Sequence, residues 1–71
     1  MSIGERVKHV RELVKLTQQQ FANEIEISQG RLSEIEKNKC KPSAETLISL
    51  SKKYDINLNW LLLGEGRPNK S

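Results

Sequence analysis

The sequence predicts an all-α domain of five short helices with no strand. Three observations carry that prediction. Apolar residues recur at three- and four-residue spacing in separate stretches, polar residues suited to helix starts stand directly before them, and hydrophobic pairs bracket three of those starts. The chain has 71 residues, enough for one domain. A domain of that size buries a lower fraction of its surface than a larger one, so its core must be compact and its helices well capped.

The first helix is expected from Ile3 to Lys15, with Ile3, Val7, Val10 and Val14 on one stripe and Leu13 beside it. The second opens at Thr17-Gln18-Gln19-Gln20, a capping box in which Thr17 and Gln20 each satisfy the other's backbone N–H, and Leu16 and Phe21 form a staple across it. Ser28 caps the third helix, with Ile27 and Leu32 as its staple. The fourth follows Pro42 with Ser43 as cap, Glu45 in the dipole-favoured first turn, Leu47, Leu50 and Tyr54 inward, and Lys52 and Lys53 near its end. Asn57 caps a short fifth helix, Ile56 and Leu61 staple it, and Gly64 ends it. Residues 1–66 are expected to form the domain and 67–71 a polar tail or the start of a linker.

Composition narrows the function. Twelve Lys and Arg against nine Asp and Glu give a net charge of +3 and a pI near 9.3, compatible with a polyanionic partner. Four cations fall between Arg31 and Lys41, and Lys37, Lys39 and Lys41 alternate through the loop after the third helix. No stretch approaches the roughly 20 apolar residues that span a bilayer, and MSIGERVKHV lacks a signal peptide's apolar centre, so a cytoplasmic protein is expected. With Cys40 the only cysteine and His9 the only histidine, neither an internal disulfide nor a cysteine zinc site is expected. Cys40 reads as an incidental loop residue and His9 as a surface imidazole. Tyr54 and Trp60 read as core residues, too few to stack single-stranded bases. The pairs Glu24/Glu26 and Glu34/Glu36 lie two apart on a helix and point to different faces, so they form no acid/base dyad. No enzymatic activity, cofactor, metal or small-molecule ligand is expected.

The segment from Thr17 to Lys41 is the most informative. Two capped helices start eleven residues apart, joined by a four-residue turn; Phe21, Ala22, Ile25, Ile27, Leu32 and Ile35 lie where crossed helices pack. Gln29, Gly30, Arg31, Ser33, Glu34 and Lys37 are left to face outward. Taken alone, a helix pair with polar outer faces favours the reading as two solvated helices of an ordinary bundle. The segment resembles the helix-turn-helix of the lambda-repressor-like family, which includes phage repressors, Cro proteins and Xre-type bacterial regulators. Ile3 to Val7 resembles that family's first helix, Thr17-Gln18 the opening of its second, Ser28 to Glu36 its recognition helix, Lys41-Pro42-Ser43 the loop after it, and Leu58 to Leu62 its fifth helix.

The resemblance implies a sequence-specific regulator, a repressor, binding a double-stranded DNA operator as a symmetric homodimer with helix three in the major groove. Base readout is then expected from Gln29, Gly30, Ser33 and Glu34, since Gln pairs bidentately with adenine and Glu accepts from the cytosine amino group. Phosphate contacts are expected from Gln18 and Ser28 at helix starts, from Lys39 and Lys41, and more weakly from Arg31 and Arg11. The resemblance also implies a salt bridge between Arg11 and Glu36 that fixes the angle of helix three. Leu61, Leu62 and Leu63 are the expected dimer contact. The alternative is a protein-interaction module of the same fold, an antitoxin or phage regulatory partner, using an exposed apolar surface from Trp60 to Leu63.

Two residues depart from the family pattern. Glu26 stands where glycine usually ends the second helix, and a left-handed Glu26 costs about 1 kcal/mol. Gly30 stands where the family presents a side chain; it either admits close backbone approach to DNA or is merely tolerated.

Overall fold

The computed structural model describes residues 1–69. Five helices follow one another: α1 (Ile3–Leu13), α2 (Gln18–Glu24), α3 (Gln29–Glu36), α4 (Ala44–Tyr54) and α5 (Leu58–Leu63). Among the described residues there is no strand, only an isolated antiparallel bridge between Ile56 and Asn69. α1 packs against α3 and α5, and α2 against α3. All five helices feed one core: Val7 and Val10 from α1, Phe21 and Ala22 from α2, Leu32 and Ile35 from α3, Leu50 from α4, Trp60 and Leu61 from α5.

Each helix start is a side-chain cap, because the first N–H groups of a helix have no partner within it. Thr17 Oγ1 accepts from the Gln20 N–H at 3.2 Å while Gln20 Oε1 accepts from the Thr17 N–H at 3.0 Å. Ser28, Ser43 and Asn57 cap α3, α4 and α5 through bonds from Arg31, Thr46 and Asn59 N–H groups. α1 carries a further capping box, absent from the sequence-based expectations: Ser2 Oγ accepts from the Glu5 N–H, and Glu5 Oε1 accepts from the Ser2 N–H at 3.0 Å. Those bonds hold the Glu5 carboxyl below the usual glutamate range, with the Ser2 N–H the leading cause.

The first four helices also end alike. Lys15, Glu26, Asn38 and Asp55 adopt left-handed backbone at φ 60°, 63°, 62° and 55°. After each, an N–H reaches back five residues: Leu16 to Arg11, Ile27 to Ala22, Lys39 to Glu34 and Ile56 to Ser51, at 2.8–3.3 Å. This arrangement satisfies helix-terminal carbonyls and turns the chain sharply. It also ends α1 at Leu13, two residues before the expected Lys15, because Lys15 is the left-handed residue and Leu13 is left exposed. α5 ends at Gly64 with φ 75°.

Part of the expected tail lies against the body of the domain. Pro68 O accepts from the Asn57 N–H at 2.7 Å and Asn69 bridges Ile56, so residues 67–69 fold back onto the α4–α5 turn. Lys70 and Ser71 of that tail lie outside the described residues.

Candidate nucleic-acid interface

α3 is divided lengthwise into a buried and an exposed half. Leu32, Ile35 and Glu36 are buried, whereas Gln29, Gly30, Arg31, Glu34 and Lys37 are exposed and Ser33 is half-buried. At about 100° per residue, Gln29, Ser33, Gly30 and Glu34 follow one another across a single outward face. Arg31, also exposed, stands at the edge of that face. It lines, with Glu26, Ser43 and Glu45, a hollow of about 180 Å³ between the α2–α3 turn and the start of α4.

One carboxylate joins the last turn of α3 to the helices before it. Arg11 Nε donates to Glu36 Oε2 at 2.8 Å and Arg11 Nη2 donates to Oε1 at 3.3 Å. The Glu36 side chain is only 4% exposed and that of Arg11 16%. Gln18 Nε2 donates to Glu36 Oε1 at 2.9 Å, and Arg11 Nη1 donates to the Leu16 carbonyl at 3.1 Å. Glu36 therefore ties α1, the α1–α2 turn and α2 to the last turn of α3. Every strong donor around the carboxylate comes from another element, as a buried charge requires. The Gln18 amide faces inward to Glu36; the phosphate contact expected at this helix start rests on backbone N–H groups and not on that side chain.

The loop after α3 holds its cations outward by anchoring the residues between them. Asn38 Oδ1 accepts from the Gly4 N–H at 3.0 Å, and Asn38 Nδ2 donates to Ser2 Oγ at 2.7 Å. Cys40, expected as an incidental loop residue, is half-buried against the core. Lys37, Lys39 and Lys41 alternate with these two anchors and are exposed.

At the opposite end of the chain, the expected dimer contact contains an error. Leu61 is 0% exposed, because it is a staple residue of α5 and points into the core, while Leu62 and Leu63 are 43% and 65% exposed. Trp60 is buried too, packing on the half-buried His9 ring at 5.8 Å between centroids. The surface expected for a protein-interaction module thus shrinks to two leucines. Buried Arg6 closes this end of the molecule: its Nε donates to Leu61 O at 2.7 Å, its Nη2 to Leu62 O at 3.0 Å, and its Nη1 to Met1 O. A guanidinium at the last carbonyls of a helix is favourable both as a donor and against the dipole.

Arg6, Asn38 and Gly4 are positioning residues that sequence reasoning does not single out. Arg6 carries a visible signal, a charge three residues from Ile3 and four from Val10 and so within the apolar stripe. Gly4 has none at this level. A Cβ there would stand 2.3 Å from Ile35 O and 2.6 Å from Asn38 Oδ1, so only glycine admits the contact between α1 and the end of α3.

Nothing at this surface resembles a catalytic centre. Among the described residues no group of three or more His, Cys, Asp or Glu side chains could hold a metal ion, and no helix is long and apolar enough to cross a membrane.

Known proteins resemble this chain in sequence, and one of solved structure in fold. The HTH-type transcriptional regulator ImmR of Bacillus subtilis is 34% identical over 62 residues, covering 87% of this chain and 49% of that protein. The HTH-type transcriptional regulator DicA of Escherichia coli is 32% identical over 65 residues, covering 92% and 48%. The immunity repressor protein of Bacillus phage phi105 is 34% identical over 65 residues, covering 92% and 44%. The chain thus spans about half the length of the regulators it matches. The P22 c2 repressor, solved in complex with a synthetic operator, superposes with a TM-score of 0.83 and 28% identity over 92% of this chain and 98% of that one. The helix-turn-helix domain family matches residues 4–67. With that match, and with the fold of a lambda-repressor-like protein, the chain belongs to the helix-turn-helix domain family.

Proposed function

We propose that this chain is the DNA-binding unit of a transcriptional repressor, reading a double-stranded operator with α3 in the major groove. The observation that carries the reading is the outward face of α3. Gln29, Gly30, Ser33 and Glu34 stand together on a helix locked from behind by Glu36, and the exposed Lys37, Lys39 and Lys41 follow directly. A rigid polar face beside exposed cations suits division of labour between base edges and phosphates. Gln29, Ser33 and Glu34 read bases; Lys39 and Lys41 grip phosphates, assisted by Ser28 and the first turn of α2 at Gln18. Arg31, turned toward Glu26 and Glu45, contributes less. No catalytic step enters this reading.

One such helix covers only a few base pairs, so the reading includes a symmetric homodimer on two half-sites. Leu62 and Leu63 supply its contact. Met1, 70% exposed, extends it, because Arg6 binds the carbonyls of Met1 and Leu62 together. The operator is to be selected from random DNA and then used in binding assays. Lys41→Ala should weaken binding to all DNA alike and lower the salt slope by about one unit for each phosphate no longer neutralised, doubled for a dimer. Gln29→Ala should cost about 1–3 kcal/mol per half-site on the operator and little on random DNA. Equal losses on both DNAs for both variants would remove α3 as the reading element.

A further inference from the structure

Arg6 is a buried cation without an anion. It is 7% exposed, and among the described residues no carboxylate stands within ion-pair distance of it, whereas Arg11 has Glu36. Its three bonds all go to carbonyl oxygens, from Nε to Leu61, from Nη2 to Leu62 and from Nη1 to Met1. A guanidinium has five N–H donors, so one on each Nη is left over. The group borders the bare Cα of Gly64, where a Cβ would stand 3.2 Å from Nη1. A charge withdrawn this far from water calls for an opposite charge. Glu65, directly after Gly64, is the converse case. It is exposed, its N–H donates to the Asn59 carbonyl of α5 at 3.5 Å, and its carboxylate has no ion-pair partner among the described residues. It also stands past the C-terminal end of α5, where the helix dipole disfavours negative charge. Within one copy these two groups do not pair, and both adjoin the exposed Leu62 and Leu63.

Resting on the reading of Leu62 and Leu63 as the contact of a homodimer, we propose that the Glu65 carboxylate of a second copy completes the shell of Arg6, and that Glu65 of the first copy does the same in return. A two-fold contact presents the same patch twice. A patch that carries a cation short of an anion, an anion short of a cation and exposed leucines between them is therefore complementary to itself. The two unused N–H groups of Arg6 match in number the two oxygens of a carboxylate, and a guanidinium is suited to such a pair at an interface. The leucines remove apolar surface from water whatever their orientation. The crossed ion pairs are what fix one register of the two copies.

The test uses the operator selected as above and a single half-site of it, because the ratio of the two affinities reports association between copies and cancels the contacts each copy makes with DNA. Glu65→Gln should lower that ratio by about tenfold or more, and Glu65→Lys should lower it further, since it brings two like charges together. Rising salt should lower the ratio for the native chain and leave it nearly constant for Glu65→Gln. The melting temperature of the dilute protein without DNA should be the same for Glu65→Gln as for the native chain, because the carboxylate has no ion-pair partner within one copy. If Glu65→Gln left the ratio unchanged, or if it lowered the melting temperature of the dilute protein and so placed the pair within one copy, the inference would be overturned. Leu63→Ser separates the two levels. Should it lower the ratio while Glu65→Gln does not, only the ion pair fails; should the native chain occupy the operator as a single copy at saturation, the homodimer fails as well.

Discussion

Removing Arg11 should be among the most damaging single changes available to this domain. In Arg11→Ala, Glu36 loses both guanidinium bonds and keeps only the one from Gln18, while its side chain stays 4% exposed. Breaking a buried ion pair from one side costs about 3–5 kcal/mol, and because Arg11 is itself 16% exposed the lower end applies, about 3 kcal/mol. A chain of this length has a total stability of roughly 4–10 kcal/mol. At about 6 °C per kcal/mol for so small a domain, the melting temperature should fall by roughly 18 °C. Urea unfolding followed by circular dichroism measures the change, with an unaltered m-value showing that the two end states are the same. The double variant Arg11→Met/Glu36→Leu should recover most of the loss, since it removes both charges and keeps the volume. Strictly additive single and double changes, or an Arg11→Ala loss below about 1 kcal/mol, would mean that solvent screens the pair and that it does not fix α3.

Gly4→Ala should destabilise by at least about 2 kcal/mol in the same assay, because its methyl collides with the Ile35 carbonyl, a backbone atom that cannot turn aside; a neutral result would place α1 farther from α3. Glu26→Gly should raise stability by up to about 1 kcal/mol, less the entropy of a freer unfolded chain, since φ is 63° there; a fall in melting temperature would show that the carboxylate makes a compensating contact. The buried Tyr54 hydroxyl has no hydrogen-bond partner among the described residues. Tyr54→Phe should therefore be neutral or stabilising by about 1 kcal/mol, with the stacking on Phe21 at 5.5 Å retained. Burial, aided by the Glu24 charge, raises the Tyr54 pKa. The neutral form is favoured in the fold, so that contribution is full below the ordinary tyrosine range, is lost as pH rises through the folded value, and should be missing from the phenylalanine variant. The lowered Glu5 carboxyl acts in the opposite sense: its support of α1 is present at neutral pH and disappears as pH falls below the glutamate range, a loss that Glu5→Gln should abolish in a melting-temperature series.

Local signals were legible because they depend on residues a few positions apart. The caps at Thr17, Ser28, Ser43 and Asn57 and the four-residue turn follow from neighbouring chemistry, the left-handed Glu26 from the resemblance to the family, and all stand where the sequence puts them. The contacts that set helix angles are different in kind. Asn38 to Gly4 and Arg6 to Leu61 span 34 and 55 positions, and no periodicity within a helix specifies which backbone group a distant side chain will reach. Leu61 carries two opposed signals. Its staple with Ile56 turns it inward, the run of three leucines suggests one shared outward surface, and the docking of α5 on α1 decides for the staple and leaves the next two outside.

Ending helices on residues other than glycine leaves the chain with room to change. Lys15 and Glu26 each hold a left-handed backbone at a cost of about 1 kcal/mol, at sites outside the outward face of α3. A lineage whose α3 acquires a residue that suits a new operator but weakens the helix can recover the loss by one substitution at either position. The operator preference of such a domain can then drift while its fold stays above the threshold for function.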